Sequence, residues 1–204
     1  MQQATEKPKK LTLTDQMRVR FGSSLDPIGA FLNRIGLMPN TMTILGLLGN
    51  TIGAILLSQG KMVYGGFIIL AMGPVDALDG TMARLRGEPS EFGAFVDSVT
   101  DRYSELVIFG GLIIFFVQQG NWIAVLAAYL AACGSVLVSY VRARAASLGY
   151  ETKIGILTRM ERYLVLAPSL VFNIPQIGLW IIAVLANITA LQRIWDIRRQ
   201  TRGK

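Results

Sequence analysis

Asp76-Ala77-Leu78-Asp79-Gly80-Thr81-Met82-Ala83-Arg84 and, eight residues further on, Gly93-Ala94-Phe95-Val96-Asp97-Ser98-Val99-Thr100-Asp101 set four carboxylates at helical spacing inside apolar sequence. Asp76 and Asp79 are three apart and Asp97 and Asp101 four apart, so each pair shares one helix face. A carboxylate in a membrane-buried helix is costly unless it faces a cavity, a partner or a metal. Two consecutive antiparallel helices would let the two stripes face each other, and four converging carboxylates repel without cations between them. The pattern therefore predicts a divalent-cation site with room for phosphate oxygens. Gly80, Ala83 and Gly93 leave space for a ligand near the backbone, and Arg84 offers a guanidinium fork suited to phosphate. Two other readings of the same acids remain open. They are buried aspartates paired with Arg84, Arg86 and Arg102, or an ion or proton pathway. Glu105 extends the second stripe and is expected to pair with Arg102.

The surrounding chain sets the fold class. Its 204 residues are 52% hydrophobic and 16% charged, with the apolar residues in long runs. This predicts an all-α integral membrane protein with six transmembrane helices and an N-terminal interfacial amphipathic helix. The spans are expected near Thr41–Ser58, Met62–Leu85, Glu91–Val117, Trp122–Leu148, Gly155–Phe172 and Ile177–Arg198. Residues 1–13 read as a polar cytosolic tail without the apolar core of a signal peptide. Residues 14–38 form the juxtamembrane interfacial helix. There Met17, Phe21, Ile28, Phe31, Leu32 and Ile35 alternate with Arg18, Arg20 and Arg34, with an interruption near Asp26-Pro27. Residues 39–204 form the six-helix domain. Gly46, Gly49 and Gly53, with Gly65-Gly66, suit close helix packing. Gly73-Pro74 should open the second span and free a carbonyl near Asp76. The single Cys133 lies in an apolar stretch and reads as a packing residue. Histidine is absent, so imidazole ligands are excluded and oxygen ligands for Mg2+ or Mn2+ are expected.

Charge placement predicts orientation. Of 20 Lys and Arg residues, all but Lys61 fall on one side of the expected spans. Positive residues stay cytosolic, which puts both termini inside and the aspartates near the cytoplasmic face of the cell membrane. The net charge of +7 thus describes one face, which attracts anionic lipid headgroups and phosphorylated substrates. Nucleic-acid binding is not expected, because the basic residues abut the membrane and no nucleic-acid motif is present.

The string Asp76-x2-Asp79-Gly80-x2-Ala83-Arg84-x8-Gly93-x3-Asp97-x3-Asp101 resembles the signature of the CDP-alcohol phosphotransferase family without departure. Members displace CMP from a CDP-alcohol with an alcohol acceptor, using two divalent metals. The resemblance implies that Asp76, Asp79, Asp97 and Asp101 hold two Mg2+ or Mn2+ ions, with Asp76 and Asp97 shared between them. Asp101 would also be the catalytic base on the acceptor hydroxyl. Gly80 and Arg84 would hold the CDP-lipid, Ser90 would support it, and Pro39, Asn40, Thr41 and Met42 would touch its nucleotide. A homodimer is also implied.

Later segments bear on the acceptor. Tyr140-Val-Arg142, Gly155-Ile-Leu-Thr-Arg159-Met-Glu-Arg162 and Gln192-Arg193 put Arg142, Arg159, Arg162 and Arg193 around the same mouth. Arginine is the preferred bidentate phosphate ligand, so a phosphorylated acceptor is expected. These segments are similar to those of bacterial phosphatidylinositol phosphate synthases, which join CDP-diacylglycerol to inositol 3-phosphate. Arg142 stands where Lys is common there, and Met160 where Pro is common. The alternatives are phosphatidylglycerol phosphate synthase and archaetidylinositol phosphate synthase; an ion or proton transporter is the reading of a different class.

Overall fold

The computed structural model describes residues 25–87 and 90–202. Every regular element among them is a helix. α1 covers 25–34; α2 is Pro39–Ser58, α3 Met62–Arg86, α4 Glu91–Gln118, α5 Trp122–Ser147, α6 Arg159–Val171 and α7 Pro175–Arg202. The helix ends follow local chemistry. Ser90 opens α4 by accepting a hydrogen bond from the Gly93 amide at 2.9 Å, and Asn121 opens α5 by accepting from the Ala124 amide at 3.1 Å. α3 stops at Gly87, whose φ of 68° is left-handed and free of a Cβ penalty.

One boundary changes. The helix expected over Gly155–Phe172 begins only at Arg159, and residues 150–158 are irregular. Backbone groups of that segment bond to α7 instead of to a helical ladder. The Leu157 amide donates to Thr189 Oγ1 at 3.0 Å, and the Ile154 carbonyl accepts from Arg193 Nε at 2.9 Å. The described part of α1 starts at Leu25 with Asp26-Pro27 in its first turn, so the interruption expected there falls at the edge of the described residues. The tail and residues 14–24 of the expected interfacial helix lie outside the described residues.

Among the described residues, α2, α3, α5 and α7 are long and apolar enough to cross a membrane. The other two expected spans do not qualify on those grounds. α4 has 28 residues but carries Asp97, Asp101, Arg102 and Glu105, and α6 has only 13 residues. Large apolar side chains such as Phe67, Trp122, Ile123 and Phe172 remain exposed on the outside of the bundle.

α2 is the packing hub. It lies antiparallel to α3, with Gly46 against Asp76, Gly49 against Met72, and Gly53 against Ile69 and Gly65. It packs equally along α4. α3 and α4 themselves barely touch, so the two aspartate stripes face each other across a cleft rather than through a packed interface. α6 packs on α3 and α7, and α7 on α5. The main core joins Phe109, Leu112 and Phe116 of α4 to Leu166 and Leu170 of α6 and Leu179 and Ile182 of α7. A second, smaller core of Met42, Leu78 and Met82 seats Leu25 and Leu32 of α1. Arg86 fastens the same end, donating to Asn33 Oδ1 at 2.7 Å and to the Leu37 carbonyl at 2.6 Å.

Neighbouring glycines on α4 should respond oppositely to the same change. A Cβ at Gly111 would run into the backbone of Ala54, whereas one at Gly110 meets open space. Gly111→Ala is expected to lower the melting temperature in detergent, at a cost of about 1–3 kcal/mol from overpacking. Gly110→Ala should leave it unchanged or raise it through helix propensity, by about 1 kcal/mol at most.

Candidate active site

Four helices bring the charged residues to one cavity of about 60 Å³. Asn50 of α2, Asp76 and Gly73 of α3, Asp101 and Glu105 of α4, and Arg159, Arg162 and Tyr163 of α6 all contribute to its wall. Asp76 reaches in because Gly46 has no side chain. A Cβ there would collide with Asp76 Oδ1, so this glycine serves the site as well as the helix pair. Asp79 is fixed on both oxygens. Thr43 donates to Oδ2 at 2.7 Å and the Gly80 amide to Oδ1 at 2.5 Å.

Arg159, the first residue of α6, spans the cleft. Its Nη2 lies 3.1 Å from Asp76 Oδ2 and 2.5 Å from Asp101 Oδ1. Asp101 is only 7% exposed, and its other oxygen is 3.6 Å from Arg102 Nη1. Asp97 makes no hydrogen bond or close ion pair among the described residues, and it stands in electrostatic range of Arg159 as well as of Asp76, Asp79 and Asp101. The four acids thus form one electrostatic group, divided between the two walls of the cleft. Among the described residues no three acids converge as a ready ligand set. A guanidinium occupies the space where Asp76 and Asp101 meet. The side-chain ligand atoms offered are oxygens, carboxylates foremost, and the cleft already accommodates a cation between two of them, so the site fits a hard divalent ion.

The residues expected to hold a CDP-lipid separate into two groups. Asn40 and Ser90 come together around Gly93, where a Cβ would lie 2.8 Å from Ser90 Oγ and 3.5 Å from Asn40 Oδ1. Pro39 starts α2 beside them, and the Thr41 amide closes its first turn on the Met38 carbonyl at 3.0 Å. Met42 is a core residue packed with Leu78 and Met82. Gly80 serves Asp79 through its amide. Arg84 turns away toward α1, 3.7 Å from Asp26, and donates to Thr81 Oγ1 at 3.2 Å.

The arginines expected around an acceptor also differ from one another. Arg162 is 3% exposed and gives Nη2 to Glu105 at 2.7 and 3.1 Å, leaving Nε and Nη1 unpartnered. Glu105 therefore pairs with Arg162 of α6, not with Arg102 as the sequence suggested; Arg102 bonds the Ser98 carbonyl instead. Arg193, also 3% exposed, spends its donors on the Ile154 carbonyl at 2.9 Å and the Val138 carbonyl at 2.6 Å. Arg142 is exposed, and with Arg162 it lies in electrostatic range of Arg193.

Four participants escape the sequence reading. Thr43 could have been found from its stripe, since Thr43, Gly46 and Asn50 share one face of α2. Thr158 and Glu161 form the Thr-x-x-Glu signature of a helix start, and the Thr158 hydroxyl bonds the Glu161 carboxylate. That pair places Arg159 at the head of α6. Tyr163 carried no local signal.

A profile of the CDP-alcohol phosphatidyltransferase family matches residues 36–192. The chain is 35% identical over 217 residues to a phosphatidylinositol phosphate synthase of Streptomyces avermitilis, covering 97% of this chain and 87% of the relative. It is 34% identical over 190 residues to an archaetidylinositol phosphate synthase of Pyrococcus horikoshii, covering 92% and 98%. Two crystal structures of the Mycobacterium tuberculosis phosphatidylinositol phosphate synthase share the fold at 31% identity. The one with CDP-DAG bound has a TM-score of 0.78 over 83% of this chain and 91% of that one. The one in complex with manganese and citrate has a TM-score of 0.79 over 83% and 87%. The matched residues contain the whole aspartate cleft with Arg142, Arg159 and Arg162, and the chain accordingly belongs to the CDP-alcohol phosphatidyltransferase family, as a multi-pass membrane enzyme.

Proposed function

We propose that this enzyme transfers a phosphatidyl group from CDP-diacylglycerol to inositol 3-phosphate and releases CMP. The observation that carries the acceptor reading is Arg162. A guanidinium 3% exposed, in the wall of the aspartate cavity, leaves two of its three nitrogens without partners. Buried donors are rarely left unmet, and a phosphate oxygen would meet these. Arg142 and Arg193 add positive potential beside it. The names of the bacterial relatives point the same way.

In this reading Asp76, Asp79, Asp97 and Asp101 hold two Mg2+ or Mn2+ ions, which would offset the charge of the diphosphate. Asn40 and Ser90 border the nucleotide, and Gly80 and Arg84 support its phosphates. Arg162, with Arg142 and Arg193, holds the acceptor's own phosphate so that its free hydroxyl faces Asp101. Asp101 takes the hydroxyl proton. The acceptor oxygen forms its bond to the phosphorus bearing the diacylglycerol as the bridging oxygen departs with CMP. Arg159 leaves the carboxylates and becomes free to meet a phosphate.

The same reading sets all of α2–α7 through the cell membrane, α1 on its surface, and both termini and the cleft on the cytoplasmic side. Charge bias supports that orientation, as do the exposed Ile28 and Phe31 of α1 and Ile35 just after it. A second reading replaces the diacyl lipid by its archaeol counterpart, which the Pyrococcus relative favours. A carboxylate relay for transport would distribute acids through the bundle; here they cluster at the adjoining ends of α3 and α4.

The test is CMP release by the purified enzyme in detergent with Mg2+ and CDP-diacylglycerol or CDP-archaeol. Inositol 3-phosphate should support turnover, and free inositol or glycerol 3-phosphate should not; a preference for glycerol 3-phosphate would refute the acceptor assignment. Asp101→Asn should lower kcat by about 10²–10⁴-fold, the range for loss of a general base, with the melting temperature retained. Arg142→Ala should raise KM for inositol 3-phosphate about tenfold, as expected for one charge-assisted hydrogen bond. Its KM for the CDP-lipid should stay near wild type.

A further inference from the structure

Pro74 stands inside α3, two residues before Asp76. It has no amide hydrogen, so the Leu70 carbonyl one turn earlier loses its helical donor. That carbonyl is not left bare. Tyr163 of α6 places its hydroxyl 2.5 Å from Leu70 O and 3.4 Å from Ile69 O. The approach is possible because residue 73 is glycine: a Cβ there would collide with the Tyr163 ring and hydroxyl. Proline removes the donor, glycine opens the wall, and a side chain from another helix supplies the replacement.

The location gives this substitution its consequence. Tyr163 lies one turn after Arg159 on α6, and Arg159 Nη2 holds Asp76 at 3.1 Å. α6 therefore grips α3 on both sides of the break, at the freed carbonyl before Pro74 and at the carboxylate after it. A turn without its own hydrogen bond can rotate, and any rotation there redirects Asp76. We infer that Tyr163 is a positioning residue for the metal site: its hydroxyl replaces the hydrogen bond missing at Pro74 and so fixes the direction in which Asp76 enters the cleft. The inference rests on the reading of Asp76 as a metal ligand.

The test uses Mn2+ binding to the purified full chain in detergent, read from the loss of the free-ion EPR signal. Tyr163→Phe keeps the ring and removes only the hydroxyl. It should weaken Mn2+ binding about tenfold, as removal of groups that orient ligands does. Pro74→Ala restores an amide to serve Leu70 and should retain binding. In that background Tyr163→Phe should have no further effect, which a merely space-filling tyrosine would not show. Unchanged Mn2+ binding in Tyr163→Phe would overturn the inference. So would an equal loss with alanine at 74, or loss of binding on Pro74→Ala alone. If wild type and Asp76→Asn bind Mn2+ alike, the metal reading itself fails and takes this inference with it. If only Asp76→Asn loses binding, the metal reading stands and the role of Tyr163 falls.

Discussion

Carboxylates facing one another in an apolar bundle must be neutralised, and much of this structure follows from that need. Asp76 and Asp101 come from helices that barely touch, and the guanidinium of Arg159 joins them across the gap. The attraction between such groups is strong where water is scarce, and so is the penalty for leaving either alone. α6 is seated accordingly. Its first turns meet α3 and α4 through polar contacts, Arg159 to the aspartates, Arg162 to Glu105 and Tyr163 to the opened turn, and its later turns through Leu166 and Leu170 in the apolar core. α2 does the complementary work by close apolar packing, with glycines that admit α3 and a threonine that fixes Asp79. The cleft exists because the two acid-bearing helices share neighbours rather than an interface.

The arginines around the cleft look interchangeable in sequence and are not so in space. Arg193 is a tie: it joins the end of α5 and the segment before α6 to α7 through two backbone carbonyls. Arg162 is half committed to Glu105, Arg159 wholly to acids, and Arg142 to nothing among the described residues. Loss of Arg193 would first loosen the connection into α6, whereas loss of Arg142 breaks no contact within the described fold and bears only on what the mouth can bind. Positive charge at the mouth thus serves anchoring, neutralisation and recognition through different members of one group.

Much of this was readable from local chemistry. The ends of α3, α4 and α5 follow from Gly87, Ser90 and Asn121, whose roles depend on adjacent residues alone. The acid spacing alone is enough to bring four carboxylates into one electrostatic group. What escaped was non-local. Residues 155–158 look apolar enough to open the helix, but the Leu157 amide is claimed by Thr189 and the preceding Ile154 carbonyl by Arg193, more than thirty residues away. Glu105 has Arg102 one turn before it, yet it pairs with Arg162, 57 residues distant. Consecutive helices are usually neighbours in space, which made α3 and α4 look like a packed pair; α2 takes up both contacts instead. The carbonyl freed by Pro74 was foreseeable, but its partner in α6 was not.

The brevity of α6 bears on how the chain is assembled. It offers 13 helical residues carrying Arg159, Glu161 and Arg162, too short and too charged to partition into lipid alone. An arginine near a helix centre costs roughly 2.5–3.5 kcal/mol on insertion scales. Only Phe172, Asn173 and Ile174 separate it from α7, which has the length and apolarity that α6 lacks. On the proposed topology the two would enter the membrane together as one hairpin, with α6 as passenger, its charges sheltered once the acids of α3 and α4 are already in place. The order of synthesis, amino end first, delivers the counter-charges before the segment that needs them.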